Sequence, residues 1–293
     1  MTMRRSHFIG GILAAAALPL PARAQTLESL LEPAIASIPG NVGVCARTMT
    51  NGRALYAYNA HVSFPSASTI KMLIMLTAFH MAERDPAAMS ARIAYSTSDL
   101  IGGSEFMSRQ GDGSVFTVRE LIVPMIQVSD NTASNLLITH FGFELINAVI
   151  RRAGLTQTHL KRHFLDTSAV LNHMDNRTTP ADMALLLHEI ERAVREGLST
   201  VATPSSCRKM IRIMLGQTDR DTIPRLLPRG TAVANKTGEL SRSRSDVAIV
   251  DPFGDSPYVL AVYTNGLDSP GAAYDGIARI SRIIYRTVAA SDL

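Results

Sequence analysis

Apolar residues recur at helical spacing through much of the chain. Leucine, alanine and isoleucine at positions 27, 30, 31, 34 and 38 mark one face of a helix that Pro39-Gly40 ends. Thr117 and Glu120 form a capping box that opens a helix through Gln127. The same reasoning predicts further helices over 70–81, 132–142, 143–152 and 179–196, and another from Thr203 onward. Thr132 is the predicted cap of the helix over 132–142.

Alternating or short apolar runs occur near both ends of the chain. Residues 42–46, a turn at Thr50-Asn51-Gly52 and a returning run over 54–58 predict a hairpin. Runs at 232–236, 246–250 and 258–263 predict three more strands, and a final amphipathic helix covers 272–289.

This order predicts an α+β fold. An antiparallel sheet from both chain ends, covered by helices, gives a three-layer α/β/α lobe over about 25–62 and 205–293. An all-helical lobe over about 63–204 is inserted into it. A cleft between two such lobes is a natural ligand site.

The first 24 residues are typical of an export signal. Arg4 and Arg5 precede an apolar stretch over 8–20, and Ala22-Arg23-Ala24 forms a cleavage site. The stretch is too short for a permanent membrane anchor, so we expect a periplasmic or secreted protein, exported by either the general or the twin-arginine route.

Composition and charge narrow the remaining classes. The chain has 293 residues, of which 46% are hydrophobic and 18% charged, which suits a globular protein. Three of its 29 basic residues lie in the leader, so 26 basic residues face 25 acidic ones beyond it, and nothing favours a nucleic-acid partner. Cys45 and Cys207 could pair after export or remain two buried thiols.

Three short motifs occur in one order: Ser68-Thr69-Ile70-Lys71, Ser129-Asp130-Asn131 and Lys236-Thr237-Gly238. Ser68 and Lys71 lie one helical turn apart, so a lysine of lowered pKa can take the proton of the serine nucleophile. In the second motif, Ser129 can relay a proton to a departing amine and Asn131 can hold a substrate amide. In the third, Lys236 adds positive charge beside a substrate carboxylate, and Thr237 adds a hydroxyl donor.

The set resembles the class A β-lactamases and related penicillin-recognising serine hydrolases. Segments 64–71, 129–137 and 178–183 are similar to the nucleophile segment, the S-D-N segment and the stretch after the Ω-loop of that family. The resemblance implies acylation of Ser68 by a β-lactam or a D-Ala-D-Ala-like peptide, with the oxyanion held by the backbone N–H groups of Ser68 and Glu239. It implies no cofactor, no metal, and a monomer whose partner is a small molecule.

The sequence departs from that pattern at the Ω-loop. Phe164 stands where the hydrolytic members carry the glutamate that activates water, and the nearest carboxylate is Asp166. Asp166 could serve as the base or could pair with Arg162 or Lys161. We therefore expect deacylation to be affected more than acylation.

Glu239 is a second departure, because it would repel a substrate carboxylate. Arg242 and Arg244 are both candidates to bind that carboxylate. His159 and His163 are four residues apart but fall in a predicted loop with no third ligand, so a metal site is not favoured.

Three functions remain open. The first is a β-lactam hydrolase acting through an acyl-enzyme on Ser68. The second is a D,D-peptidase-like amide or ester hydrolase acting on cell-wall peptides. The third is a penicillin-binding sensor that is acylated and then stalls.

Overall fold

The computed structural model describes residues 26–49 and 54–291. The predicted signal peptide over 1–24 and the predicted turn at Thr50-Asn51-Gly52 lie outside the described residues. The boundaries of the two lobes stay a prediction.

Nine helices are found in the described ranges, most of them at the predicted places. They are α1 Leu27–Ala36, α2 Lys71–Arg84, α3 Val118–Gln127, α4 Asn131–Phe141, α5 Phe143–Arg152, α6 Thr167–Leu171, α7 Pro180–Glu196, α8 Pro204–Met214 and α9 Tyr274–Ser291. The capping box of Thr117 and Glu120 is present as predicted. Thr132, in contrast, is wrongly predicted as a cap, because Asp130 caps α4 by accepting a hydrogen bond from Ala133 N–H.

The strands are β1 Asn41–Thr48, β2 Ala54–Tyr58, β3 Phe64–Pro65, β4 Arg92–Ala94, β5 Val115–Thr117, β6 Arg177–Thr178, β7 Val233–Leu240, β8 Ser243–Val250 and β9 Tyr258–Asn265. Five of them form one antiparallel sheet in the order β2-β1-β9-β8-β7, so strands from both chain ends share it. Two short antiparallel pairs, β3 with β6 and β4 with β5, lie outside that sheet. The predicted α+β fold is confirmed.

The sheet is buried on both faces. Helices α1 and α9 cover one face, where Leu31 and Ile35 pack with Ile277 and Ile280. Helix α7 covers the other face and joins it to the core of the helical region. Helix α2 lies within that core, and it can be apolar on every side because its first nine residues are all buried.

Cys45 and Cys207 are free thiols, both buried. Burial raises the pKa of Cys45 to about 11, so the thiol stays protonated and unreactive at neutral pH. Of the alternatives left open by the sequence, the structure shows two separate buried thiols.

No single helix in the described part of the chain is long and apolar enough to cross a membrane. Helices α4 and α5 together have the length and apolar composition of a membrane span, but they are bent by 89° relative to each other. Apolar residues of both helices, among them Leu137, Ile138, Ile146 and Ile150, lie in the core.

Candidate active site

Ser68 lies in a 3₁₀ turn over Ala67–Ile70 that leads directly into α2. The turn is fixed on two sides. Ser66 N–H donates to Asn176 O at 2.9 Å, and the Thr69 hydroxyl lies 2.6 Å from that of Tyr263 on β9. Ser68 itself is half-buried, and its hydroxyl has no hydrogen-bond partner among the described residues. The turn therefore presents a free hydroxyl on a rigid support.

Lys71 is the first residue of α2 and is fully buried. Its Nζ donates to Ser129 O at 2.6 Å, Ser129 Oγ at 3.2 Å and Asn131 Oδ1 at 2.8 Å. None of these acceptors is a carboxylate. Burial, and secondly the charge of Lys236, hold the pKa of Lys71 well below its usual range, while Asp130 opposes the shift. The lowered pKa favours loss of a proton from this amine. In the neutral form Nζ donates at most two of the three hydrogen bonds, and the Ser129 hydroxyl can donate the third to it.

Ser129 is held in a left-handed conformation, with φ of 58°. Such a conformation is uncommon for a residue other than glycine and is maintained only by its surroundings. The neighbouring Asp130 holds this part of the chain in place, because its buried carboxylate accepts hydrogen bonds from the backbone N–H groups of Phe106, Met107 and Ala133. As a result, both the carbonyl and the hydroxyl of Ser129 face the amine of Lys71.

The Ser129 hydroxyl also accepts a hydrogen bond from Lys236 Nζ at 3.1 Å, so it bridges two lysines. Burial lowers the pKa of Lys236 to about 7, with Arg244 adding to the shift and Asp246 and Asp219 opposing it. Because the two amines share one small polar space, a proton on one disfavours a proton on the other.

Gly238 allows β7 to lie against the Ser68 turn. A Cβ atom at this position would be 3.0 Å from Ala67 Cβ and 3.2 Å from both Ser66 O and Ser68 N. Any larger residue would therefore push the strand and the turn apart. The close approach brings the backbone of residues 238 and 239 beside that of Ser68.

Glu239 and Arg244 are directly opposite each other on β7 and β8. Arg244 is 3% exposed, and its guanidinium donates to Glu239 Oε2 at 2.8 Å and to Asp219 Oδ2 at 2.6 Å. The ring of Tyr274 lies against the guanidinium at 4.7 Å, and its hydroxyl also donates to Glu239. Arg242, the other candidate, lies exposed in the turn and donates to Gly266 O.

Phe164 occupies the space above the lysine of the first motif. Its ring centre is 4.4 Å from Lys71 Nζ, and the side chain is 9% exposed. The amide of Asn135 fixes the segment by bonding both Phe164 N–H and Phe164 O. An apolar ring therefore covers this side of Lys71.

Asp166 caps the short helix α6 by accepting Ala169 N–H at 2.9 Å. It has no hydrogen bond to Ser68 or Lys71 within the described part of the chain. The predicted pairing with Arg162 or Lys161 is wrong, because Arg162 pairs with Asp175 at 2.8 Å and Lys161 forms no ion pair with any residue that the structure describes. Asp166 is placed to support the loop.

Ser68 opens into a cavity of about 640 Å³. Among the residues that line it are Asn131, Phe164, Asp166 and Glu239. Lys71, Ser129 and Lys236 are linked by hydrogen bonds beside Asn131, while Thr237 lies buried on β7 and Arg244 lies behind Glu239. Of the predicted site residues, Ser68, Asn131, Asp166 and Glu239 line the cavity, and the two buried lysines lie behind them through the hydrogen bonds of Ser129 and Asn131.

The sequence reading missed the residues that surround Arg244. Asp219 and Tyr274 are 25 and 30 positions away along the chain and belong to no motif. It also missed Asn176, a buried side chain whose amide bonds three backbone groups of residues 161 and 162 and so closes the base of the loop. Only tertiary structure brings these groups to the site.

Metal-binding side chains do not cluster. Residues 26–49 and 54–291 contain no group of three or more His, Cys, Asp or Glu placed to hold an ion. His159 forms a backbone bridge with Arg177, and His163 lies near Thr139.

Comparison with known proteins gives a consistent match. The sequence profile of the β-lactamase enzyme family matches residues 23–288. The β-lactamase of Sphaerobacter thermophilus is 27% identical, with 90% of this chain and 97% of that chain covered and a TM-score of 0.76. An ancestral class A β-lactamase is 28% identical, with 89% and 100% covered and a TM-score of 0.78. PBP-A shares the fold at 24% identity, with 94% and 100% covered and a TM-score of 0.79.

Proposed function

Because the chain belongs to the β-lactamase enzyme family, we propose that it is an exported class A-type serine hydrolase that opens β-lactam rings through an acyl-enzyme on Ser68. The observation that carries the proposal is the hydrogen-bonded set of Lys71, Ser129 and Lys236 beside a serine hydroxyl that has no partner in the described residues. Export rests on the predicted signal over 1–24 and is part of the proposal.

Acylation would use the two amines and the bridging hydroxyl. The neutral amine of Lys71 takes the proton of the Ser68 hydroxyl as its oxygen attacks the lactam carbonyl. When the C–N bond breaks, the Ser129 hydroxyl gives its proton to the leaving nitrogen and receives one from the Lys71 ammonium. Proton transfer is then balanced, and Lys71 returns to its neutral form.

The developing oxyanion would lie between β7 and the Ser68 turn. The backbone N–H groups of Ser68 and Glu239 are the proposed donors. The close approach that Gly238 permits supports this assignment, since a wider gap would separate the two donors.

Among residues 26–49 and 54–291, no carboxylate is placed as a base for hydrolysis of the acyl-enzyme. Phe164 covers Lys71, and the carboxylate of Asp166 is used in a helix cap. This observation favours a second candidate, a penicillin-binding protein that is acylated and hydrolyses slowly. A variant of PBP-A has been solved as an acyl-enzyme with penicillin G, and that protein shares the fold of this chain.

The lifetime of the acyl-enzyme distinguishes the two candidates. Purified protein is mixed with a simple penicillin, and intact mass is followed over time. A transient adduct with continuing ring opening supports the hydrolase, while an adduct that persists for hours supports slow turnover.

Ser68→Ala should abolish the adduct while leaving the melting temperature within about 2 °C, since the hydroxyl makes no hydrogen bond within the described structure. Ser168→Ala, at an exposed serine on α6, is the matched control and should label normally. An adduct on the Ser68→Ala protein would show that the nucleophile is wrongly assigned.

A further inference from the structure

Glu239 is a charged side chain at the wall of the Ser68 cavity. Its Oε2 accepts both the guanidinium of Arg244 and the hydroxyl of Tyr274. Its Oε1 receives no hydrogen bond from the described residues. The side chain is 49% exposed, so this oxygen is accessible to a ligand.

The charges around Arg244 do not form an anion pocket, and the amine of Lys236, which interacts with Asp219 and Arg244, is the separate positive group of the site. Two carboxylates, Glu239 and Asp219, bind the single guanidinium of Arg244 and leave a net charge of about −1 around it. Both terminal nitrogens of Arg244 are engaged, and its remaining nitrogen Nε is buried. A substrate carboxylate would find the guanidinium already paired and an anion beside it.

Glu239 contributes little to holding Arg244 in place. The 2.6 Å ion pair with Asp219 fixes the guanidinium from inside, and the ring of Tyr274 packs against it. Without Glu239, Arg244 would still be paired with Asp219 and packed against Tyr274, so holding the arginine does not require a carboxylate at the cavity wall. Selection among ligands by their charge would account for a carboxylate in this place.

Resting on the function proposed above, we propose that Glu239 determines substrate charge: it disfavours acyl substrates with a carboxylate beside the leaving nitrogen or oxygen and favours substrates that are neutral or cationic there. A neutral or cationic hydrogen-bond donor in that place can bind the free Oε1. A substrate carboxylate in the same place would be repelled by the carboxylate of Glu239. It could bind the guanidinium of Arg244 only after displacing Glu239 from it.

The test compares two probes that differ in one charge, benzylpenicillin and its methyl ester. Acylation rate constants are taken from quenched intact-mass time courses for the unmodified protein, Glu239→Gln and Glu144→Gln. Glu144 is an exposed glutamate on α5 outside the cavity and serves as the matched control. The measured quantity is the acid-to-ester ratio of these rate constants.

Glu239→Gln should raise that ratio about tenfold, the effect expected from removing one nearby like charge at a partly exposed site. Glu239→Ala should raise it in the same direction, and Glu144→Gln should leave it unchanged. If labelling occurs but the ratio does not rise in the Glu239 variants, or rises equally in the control, the charge selection is refuted while the proposed function stands. If neither probe labels the unmodified protein at Ser68, the proposed function is refuted, and this inference with it.

Discussion

Replacing Phe164 with glutamate should accelerate hydrolysis of the acyl-enzyme on Ser68. The ring centre of Phe164 is 4.4 Å from Lys71 Nζ. An extended glutamate carries its carboxyl carbon about as far from Cα as phenylalanine carries its ring centre. The new carboxylate would therefore reach Lys71, and from the same place could polarise a water beside the acyl carbonyl.

The magnitude follows from the same geometry. A general base in the correct position contributes about 10²–10⁴-fold to a proton-transfer step, so release should accelerate by that range. Burying the phenylalanine is worth about 1.5–3 kcal/mol. The carboxylate would lose hydration in this place, and its contact with the amine of Lys71 would offset part of that cost. We expect the free energy of unfolding to change by less than about 3 kcal/mol, so the variant should fold.

The assay is the decay of the penicillin adduct after excess penicillin is removed, followed by intact mass. Phe164→Gln is the matched control, because glutamine has nearly the shape of glutamate but cannot act as a base. Faster release in Phe164→Glu than in Phe164→Gln is the expected result. Equal release rates in the two variants would refute the reasoning, since admission of water alone would then explain any gain.

Three further predictions concern Asp166 and Lys236. Asp166→Asn should leave the release rate within twofold, because the cap on α6 needs only an oxygen acceptor, and a longer-lived adduct would instead make Asp166 the base. Lys236, with its pKa lowered to about 7, should lose its positive charge as the pH rises through 7, so acylation by benzylpenicillin should fall relative to its methyl ester between pH 6 and 8. A ratio that is flat over this range would show that Lys236 does not act on the substrate carboxylate. The same lowered pKa means that the unfolded chain binds more protons at Lys236 above pH 7, so denaturant-measured stability should rise between about pH 7 and 8.5, below the range in which the buried thiols Cys45 and Cys207 oppose it, and a fall in that window would contradict the buried lysine.

Local sequence signals predicted most of the fold. The capping box at Thr117 and the proline-led start of α7 were found because their determinants lie within four residues. Strand β7 is longer than predicted, Val233–Leu240 rather than 232–236, because its second half is polar. Within that half, Thr237 and Gly238 are buried because the strand lies against the Ser68 turn, which no apolar pattern indicates.

The site was only partly predictable. The three motifs and the family resemblance indicated which residues carry the chemistry, while their partners depend on tertiary contacts. Asp130 displaced Thr132 as the cap of α4, because the hydroxyl of Thr132 instead pairs with that of Ser104. The pairing of Arg244 with Asp219 likewise depends on a loop 25 residues away, for which the sequence carries no local signal.

The position of Gly238 against the Ser68 turn has a consequence for synthesis of the protein. The reactive serine leaves the ribosome about 170 residues before the strand that completes its surroundings. A nascent chain that ends before β7 holds the nucleophile and one amine but neither the second amine nor the opposing backbone donor. Reactivity toward penicillin should therefore appear only after translation is nearly finished, which would protect the unfinished chain from modification.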